Sequence, residues 1–376
     1  MLLYSLQAIC LGALLWCVAL STRRTDIFIG LYVFLWTTGV IALYWHYGDA
    51  QDAFYSNDQQ VQLATLQSIT TDGIQLSLDT FLRQLYVVMI PAFILTKLGI
   101  LPILALKFLQ GLCFILMYQR VKTYLIELGL HIRPQYLIFF AGPIFMFMSM
   151  LAIRDVAIAY FAVNALISKD VRLRLGSLLM VGLLRPHLAV ALAFGQLVHL
   201  LIHKFSPKRH LLLIPMLVVT PYLCGNYAYI YGAQIRERLW VDPNPFTEAL
   251  TQQKFTLILA NFAGLQFLAF GERIVHFSIM SLFLLRFIFI DTFIIPLSFV
   301  VAIITCKSRL QSQLLALLSA FTFFLGLVSQ SGFNSSRQNL PFLAIMGVLV
   351  LVHNRERQIE RRATPQSVHK HFEVVT

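Results

Sequence analysis

Two apolar runs constrain the fold of this chain more than any other stretch. Residues 136–168 and 173–203 each hold roughly 30 residues, whereas a single helix crosses a bilayer with about 20. Each run is cut near its middle by arginine, at Arg154-Asp155 and at Arg185-Pro186-His187. Cations flank both runs: Arg133 before the first, Lys169, Arg172 and Arg174 between them, and Lys204, Lys208 and Arg209 after the second. Positive charge marks the cytoplasmic side, so each run is expected to leave the cytoplasm and return to it as a helical hairpin. The arginines then sit at the turns. Arms of roughly 12–18 residues, at about 1.5 Å per residue, stop short of the far surface. Arg154, Arg185 and His187 are therefore expected in a recess that opens outward. An arginine at that depth is expensive and points to function.

Composition agrees with this class. Of 376 residues, 58% are hydrophobic and only 12% are charged, the signature of a polytopic membrane protein. The net charge of +12 is spread over short loops between apolar runs, which fits the positive-inside rule and excludes a nucleic-acid partner. Cys10, Cys17, Cys113, Cys224 and Cys306 are scattered through or beside apolar segments with neither metal-ligand nor disulfide spacing, and read as packing residues.

The sequence predicts an all-α bundle of about eleven spans, with two short hairpins and external juxtamembrane helices. Residues 2–20 read as a retained span whose N-terminus is outside, and 27–44 as the return, ending on the interfacial aromatics Trp45 and Tyr47. Residues 48–79 carry Asp49, Asp52, Asp58, Asp72 and Asp79 without a single Lys or Arg, and read as an acidic external loop, partly helical. Residues 80–97 are expected along the outer interface, and 98–117 as a span with Lys107 in its outer half. A second external region, 225–289, mixes Tyr227, Tyr229, Tyr231, Arg236 and Trp240. Residues 1–353 form the transmembrane unit, with external loops at about 46–97 and 225–289. Residues 354–376 form a basic cytoplasmic tail.

The external mouth thus collects carboxylates from one loop and cations from several others: Lys107, Arg154, Arg185, Arg337 and Arg236. Recessed cations suit a lipid phosphate or diphosphate, whose charge grows as it leaves. A nearby carboxylate can take a proton from an attacking sugar hydroxyl. The chain has no glycine-rich phosphate loop, no HExxH and no GxSxG, so a soluble nucleotide donor, metalloprotease or serine-hydrolase chemistry is not expected. Asp49, Asp52 and Asp58 could hold a divalent cation, but no second ligand cluster accompanies them, and no cofactor is expected.

This layout is similar to the GT-C class of integral-membrane glycosyltransferases, and within it to EpsG-like and Wzy-type polysaccharide polymerases. The resemblance rests on the aspartate loop from Asp49 to Asp58 and on Ile103-Leu104-Ala105-Leu106-Lys107-Phe108-Leu109. It rests further on Leu151-Ala152-Ile153-Arg154-Asp155, Leu183-Leu184-Arg185-Pro186-His187 and Ser336-Arg337-Gln338-Asn339-Leu340-Pro341-Phe342. Two positions depart from the class: Gln338 stands where it often has tyrosine, and Asn57-Asp58 where many members pair two acids. The resemblance implies transfer from a polyprenyl-linked saccharide on the outer face of a bacterial inner membrane. Membrane lipids and other polysaccharide-assembly membrane proteins are the implied partners. It implies Arg154, Arg185, Lys107 and Arg337 on the lipid phosphate, Asp58 or Asp52 as general base, and His187 orienting or shuttling a proton. Asp49, Asp155 and Arg236 are secondary candidates. A transporter or flippase of lipid-linked saccharides and a single-sugar transferase are the competing readings.

Overall fold

The computed structural model describes residues 2–21, 27–48, 56–72, 86–128 and 146–185, with short pieces at 188–190, 192–193, 196–197 and residue 347. All the regular structure among these residues is helical. Seven helices follow one another: α1 (Leu2–Ser21), α2 (Ile27–Tyr47), α3 (Ser56–Asp72), α4 (Tyr86–Lys97), α5 (Pro102–Glu127), α6 (Asp155–Ile167) and α7 (Val171–Leu184). The chain divides into two compact units, and these helices belong to the first, which comprises residues 1–126, 133–193 and 333–344.

Three of the helices are long and apolar enough to cross a membrane: α1, α2 and α5. At about 1.5 Å per residue they reach roughly 30, 31 and 39 Å, against a hydrocarbon core of about 30 Å. The outer faces of α1 and α2 are apolar too, with Leu3, Leu6, Ile9, Leu31 and Phe34 all exposed. A helix that is hydrophobic on its exposed face as well as its packed one is adapted to lipid rather than to water.

The packing of these three follows the residue pairs that meet. Tyr4 stacks on Tyr44 with ring centroids 3.8 Å apart, while Gly12 abuts Thr37 and Gly30 abuts Trp16, so α1 and α2 run antiparallel. Tyr32 stacks on Phe114 and Phe28 on Tyr118, which makes α2 antiparallel to α5 as well. All three helices meet at Gly111, where a Cβ would stand 2.9 Å from Trp36 Nε1 and 3.2 Å from Leu15 Cδ1. Small residues at such crossings let helix backbones come together where lipid offers no competing hydrophobic drive. α5 is the central element: 72% of its apolar window is buried, against 33% for α1 and for α2.

α5 extends well past Met117, where the span was expected to end. Tyr118, Val121, Tyr124 and Leu125 carry the buried face on through a further two turns, so the helix continues to Glu127 despite Arg120 and Lys122. The amphipathic period, not the loss of hydropathy, decides where it stops.

The acidic stretch contains a 17-residue helix, α3, and the segment expected at the interface contains the 12-residue α4. α3 packs on α4, and α4 on α7. The described α4 is about 18 Å long, shorter than a hydrocarbon core of about 30 Å.

α6 and α7 form a tight helical hairpin through Ser168-Lys169-Asp170. The turn has a clear local cause. Ser168 leaves the helix with φ −71° and ψ 132°, and Asp170 caps α7 by accepting from Arg172 N at 2.9 Å. Asparagine and aspartate caps of this kind satisfy donors that the first turn leaves open. α7 ends as sharply. Proline disfavours the α region for the residue before it. Arg185, which precedes Pro186, accordingly has φ −157° and ψ 88°.

Candidate functional site: a buried arginine–aspartate centre

The arms of the hairpin are nearly equal, 13 residues in α6 and 14 in α7. In an antiparallel pair, equal arms bring the first residue of one level with the residue after the last of the other. Asp155 and Arg185 meet for this reason. Arg185 Nη2 donates to Asp155 Oδ1 at 3.1 Å, and the two residues are 4% and 0% exposed. Arg185 Nη1 is buried beside this pair with no hydrogen-bond partner among the described residues. The Arg154 guanidinium interacts electrostatically with both Arg185 and Asp155. Helix geometry predicted for the two apolar runs put Arg154 and Arg185 in one recess, and the hairpin brings them together at its open end.

The two arginines relate to their helices in opposite ways. Arg185 follows the last turn of α7, where a cation complements the negative end of the helix dipole. Arg154 is the N-cap of α6, at the positive end, and makes no side-chain capping bond. Guanidinium has donors only and cannot accept from the open N–H groups of a first turn. Its backbone, at φ −92° and ψ −1°, lies in the bridge region, where many active-site residues are found. Asp155 in the first turn offsets part of this unfavourable placement.

Two glutamines hold the Arg154-Asp155 segment from either side. Gln59 of α3 accepts from Ala152 N at 2.9 Å, and Gln110 of α5 accepts from Ala157 N at 3.2 Å. Both are buried, at 0% and 1% exposure. Lys107 lies one turn before Gln110 on the same face of α5 and is 1% exposed, so it does not snorkel outward. The chain just before the arginine is fixed on α2: Tyr32 donates to Ser149 Oγ at 2.8 Å, and Trp36 Nε1 donates to the Ser149 carbonyl at 2.9 Å. Leu151, Ala152 and Ile153 are buried and carry no charge.

The structure thus gathers Arg154, Arg185 and Asp155 and sets Lys107 on the α5 face that meets α6. Asp58 is in the first turn of α3, and only its backbone is described. Asp49, Asp52, His187, Arg236 and Arg337 lie outside the described residues. Gln59 and Gln110 were not singled out as site residues from the sequence. The available signal was Gln110 itself, an amide within the otherwise apolar 108–117, because a buried amide requires a partner. Among the described residues, no group of three or more His, Cys, Asp or Glu side chains could hold a metal ion.

Two cations, Arg154 and Arg185, share one buried carboxylate, Asp155. Arginine binds phosphate bidentately, and the N-terminus of α6 adds a favourable dipole for negative charge. No family model, curated protein or solved structure matches the chain.

Proposed function

We propose that this chain is a membrane glycosyltransferase of GT-C-like architecture with about eleven spans. It draws sugar from a polyprenyl phosphate or diphosphate donor at the outer face of a bacterial inner membrane, and polymerises lipid-linked repeat units of a surface polysaccharide. The observation that supports this most is the buried cationic centre, in which Arg154 makes no side-chain capping bond in its own helix and Arg185 Nη1 has no hydrogen-bond partner among the described residues. In the reaction a sugar hydroxyl of the acceptor attacks the anomeric carbon of the donor. The bond from that carbon to the phosphate oxygen breaks, and the lipid phosphate leaves with the electron pair. Arg154, Arg185 and Lys107, with Arg337, stabilise the charge that develops on the leaving group. Asp58 or Asp52 takes the hydroxyl proton, and His187 orients it or relays it.

Sizing the surface polysaccharide of cells that carry Arg154→Ala or Arg185→Ala tests this reading. Loss of long chains with single repeats retained is the expected result. Unchanged chain length and yield in both variants would rule out the phosphate role.

A further inference from the structure

The outer-loop aspartates are spread over residues 49–79, and the proposed reaction needs one of them beside the cationic centre. The bond from Ala152 N to Gln59 Oε1 bears on which one. It joins α3 to the arginine loop across 93 residues of sequence, at a point two residues before Arg154. It is fully buried on the glutamine side. A backbone N–H in an apolar interior is costly to leave without an acceptor, so this bond fixes where the first turn of α3 sits. Consecutive Cα atoms are about 3.8 Å apart, so the backbone of Asp58 is held within one residue of that anchor. Asp72, at the other end of the same helix, is fourteen residues on, about 21 Å along the axis.

We propose that Gln59 is a positioning residue, and that its bond to Ala152 holds the backbone of Asp58 beside the arginine–aspartate centre. Of the two outer-loop aspartates within the described residues, Asp58 and Asp72, Asp58 is then the one placed to serve the chemistry. Its service as general base rests on the glycosyltransferase reading above; the docking of α3 does not.

The docking is tested without any activity. Asp58→Cys and Asp72→Cys are each introduced into a chain whose five native cysteines are replaced by alanine, and the purified protein is checked for monodispersity in detergent. Each introduced thiol is reacted with an anionic sulfonate methanethiosulfonate and with a cationic ammonium one. A thiol beside excess positive charge reacts faster with the anionic reagent, and the ratio of the two rates reports the local potential. The ratio for Asp58→Cys is expected to exceed that for Asp72→Cys by about tenfold at low salt. Adding Gln59→Leu, which removes the acceptor, brings the two ratios together. Gln59→Asn, which draws the acceptor back by one methylene, does the same and serves if the leucine variant does not fold. Equal ratios at the two positions, or a ratio at position 58 that survives both Gln59 variants, would overturn the proposal. Separately, Asp58→Asn is expected to abolish polymer in cells. Should polymer persist while the thiol ratios behave as expected, the docking stands and the service of Asp58 as general base fails; loss of the glycosyltransferase reading itself is read from the Arg154→Ala and Arg185→Ala cells.

Discussion

Arg185 and Asp155 close the open end of a helical hairpin, Nη2 to Oδ1 at 3.1 Å, thirty residues apart in sequence and both sealed from solvent. A buried ion pair of this kind is weak evidence for stability in itself, because desolvating two charges opposes their attraction. It makes the site sensitive to which partner is removed.

Asp155→Ala leaves Arg154 and Arg185 without their shared carboxylate. It is expected to destabilise the protein by about 3–5 kcal/mol, the range for breaking a buried pair from one side. Replacing both partners, as Asp155→Ala with Arg185→Leu, is expected to cost less than the sum of the single changes. Thermal unfolding of the four proteins in one detergent gives the cycle directly. Additive losses would mean that the two side chains are not coupled.

Gln110→Leu is close to Gln110 in size but offers Ala157 N no acceptor. The expected loss is about 1–3 kcal/mol, with Gln110→Glu retaining most of the stability because its carboxyl oxygen can still accept. The same melts report it. A neutral Gln110→Leu would place the Ala157 bond among those readily replaced.

The elements of this hairpin were legible because each boundary has a local chemical cause. Proline after Arg185 stops α7, aspartate at 170 starts it, and the cation at 154 interrupts an apolar run. The pairing of Arg185 with Asp155 was not legible, because it depends on arms of matching length, and hydropathy locates such ends only to within a few residues. The sequence left Lys107 either facing a cavity or snorkelling outward, because a long cation near the start of an apolar helix can do either and only neighbouring helices decide; here it is buried. Gln59 looked like one more amide in a polar loop. Its role follows from a backbone N–H ninety-three residues away that has to be satisfied.

Gly111→Val is expected to force α5 away from Trp36 and Leu15, since even a Cβ there meets Trp36 Nε1 at 2.9 Å. Overpacking of this kind costs about 1–3 kcal/mol, and the indole must shift with its bond to the Ser149 carbonyl. Trp36→Phe added to Gly111→Val makes room and should recover part of the loss. A double variant no better than the single would show that the crossing is set by other contacts.

Arg154 gives the clearest separation of stability from function. A cation at the positive end of a helix is unfavourable by about 0.3–1 kcal/mol, and the position receives no capping bond in exchange. Serine is among the best residues for an N-cap, worth about 1 kcal/mol over a side chain that cannot accept. Arg154→Ser should therefore raise the unfolding temperature, relieving both the dipole conflict and the repulsion between Arg154 and Arg185. The same substitution is expected to abolish long polysaccharide in cells, because it removes one of the cations facing the leaving phosphate. A gain in stability joined to a loss of product is the outcome for a residue retained for chemistry. A fall in stability would instead assign Arg154 to the framework of the hairpin and leave the phosphate role to Arg185 and Lys107.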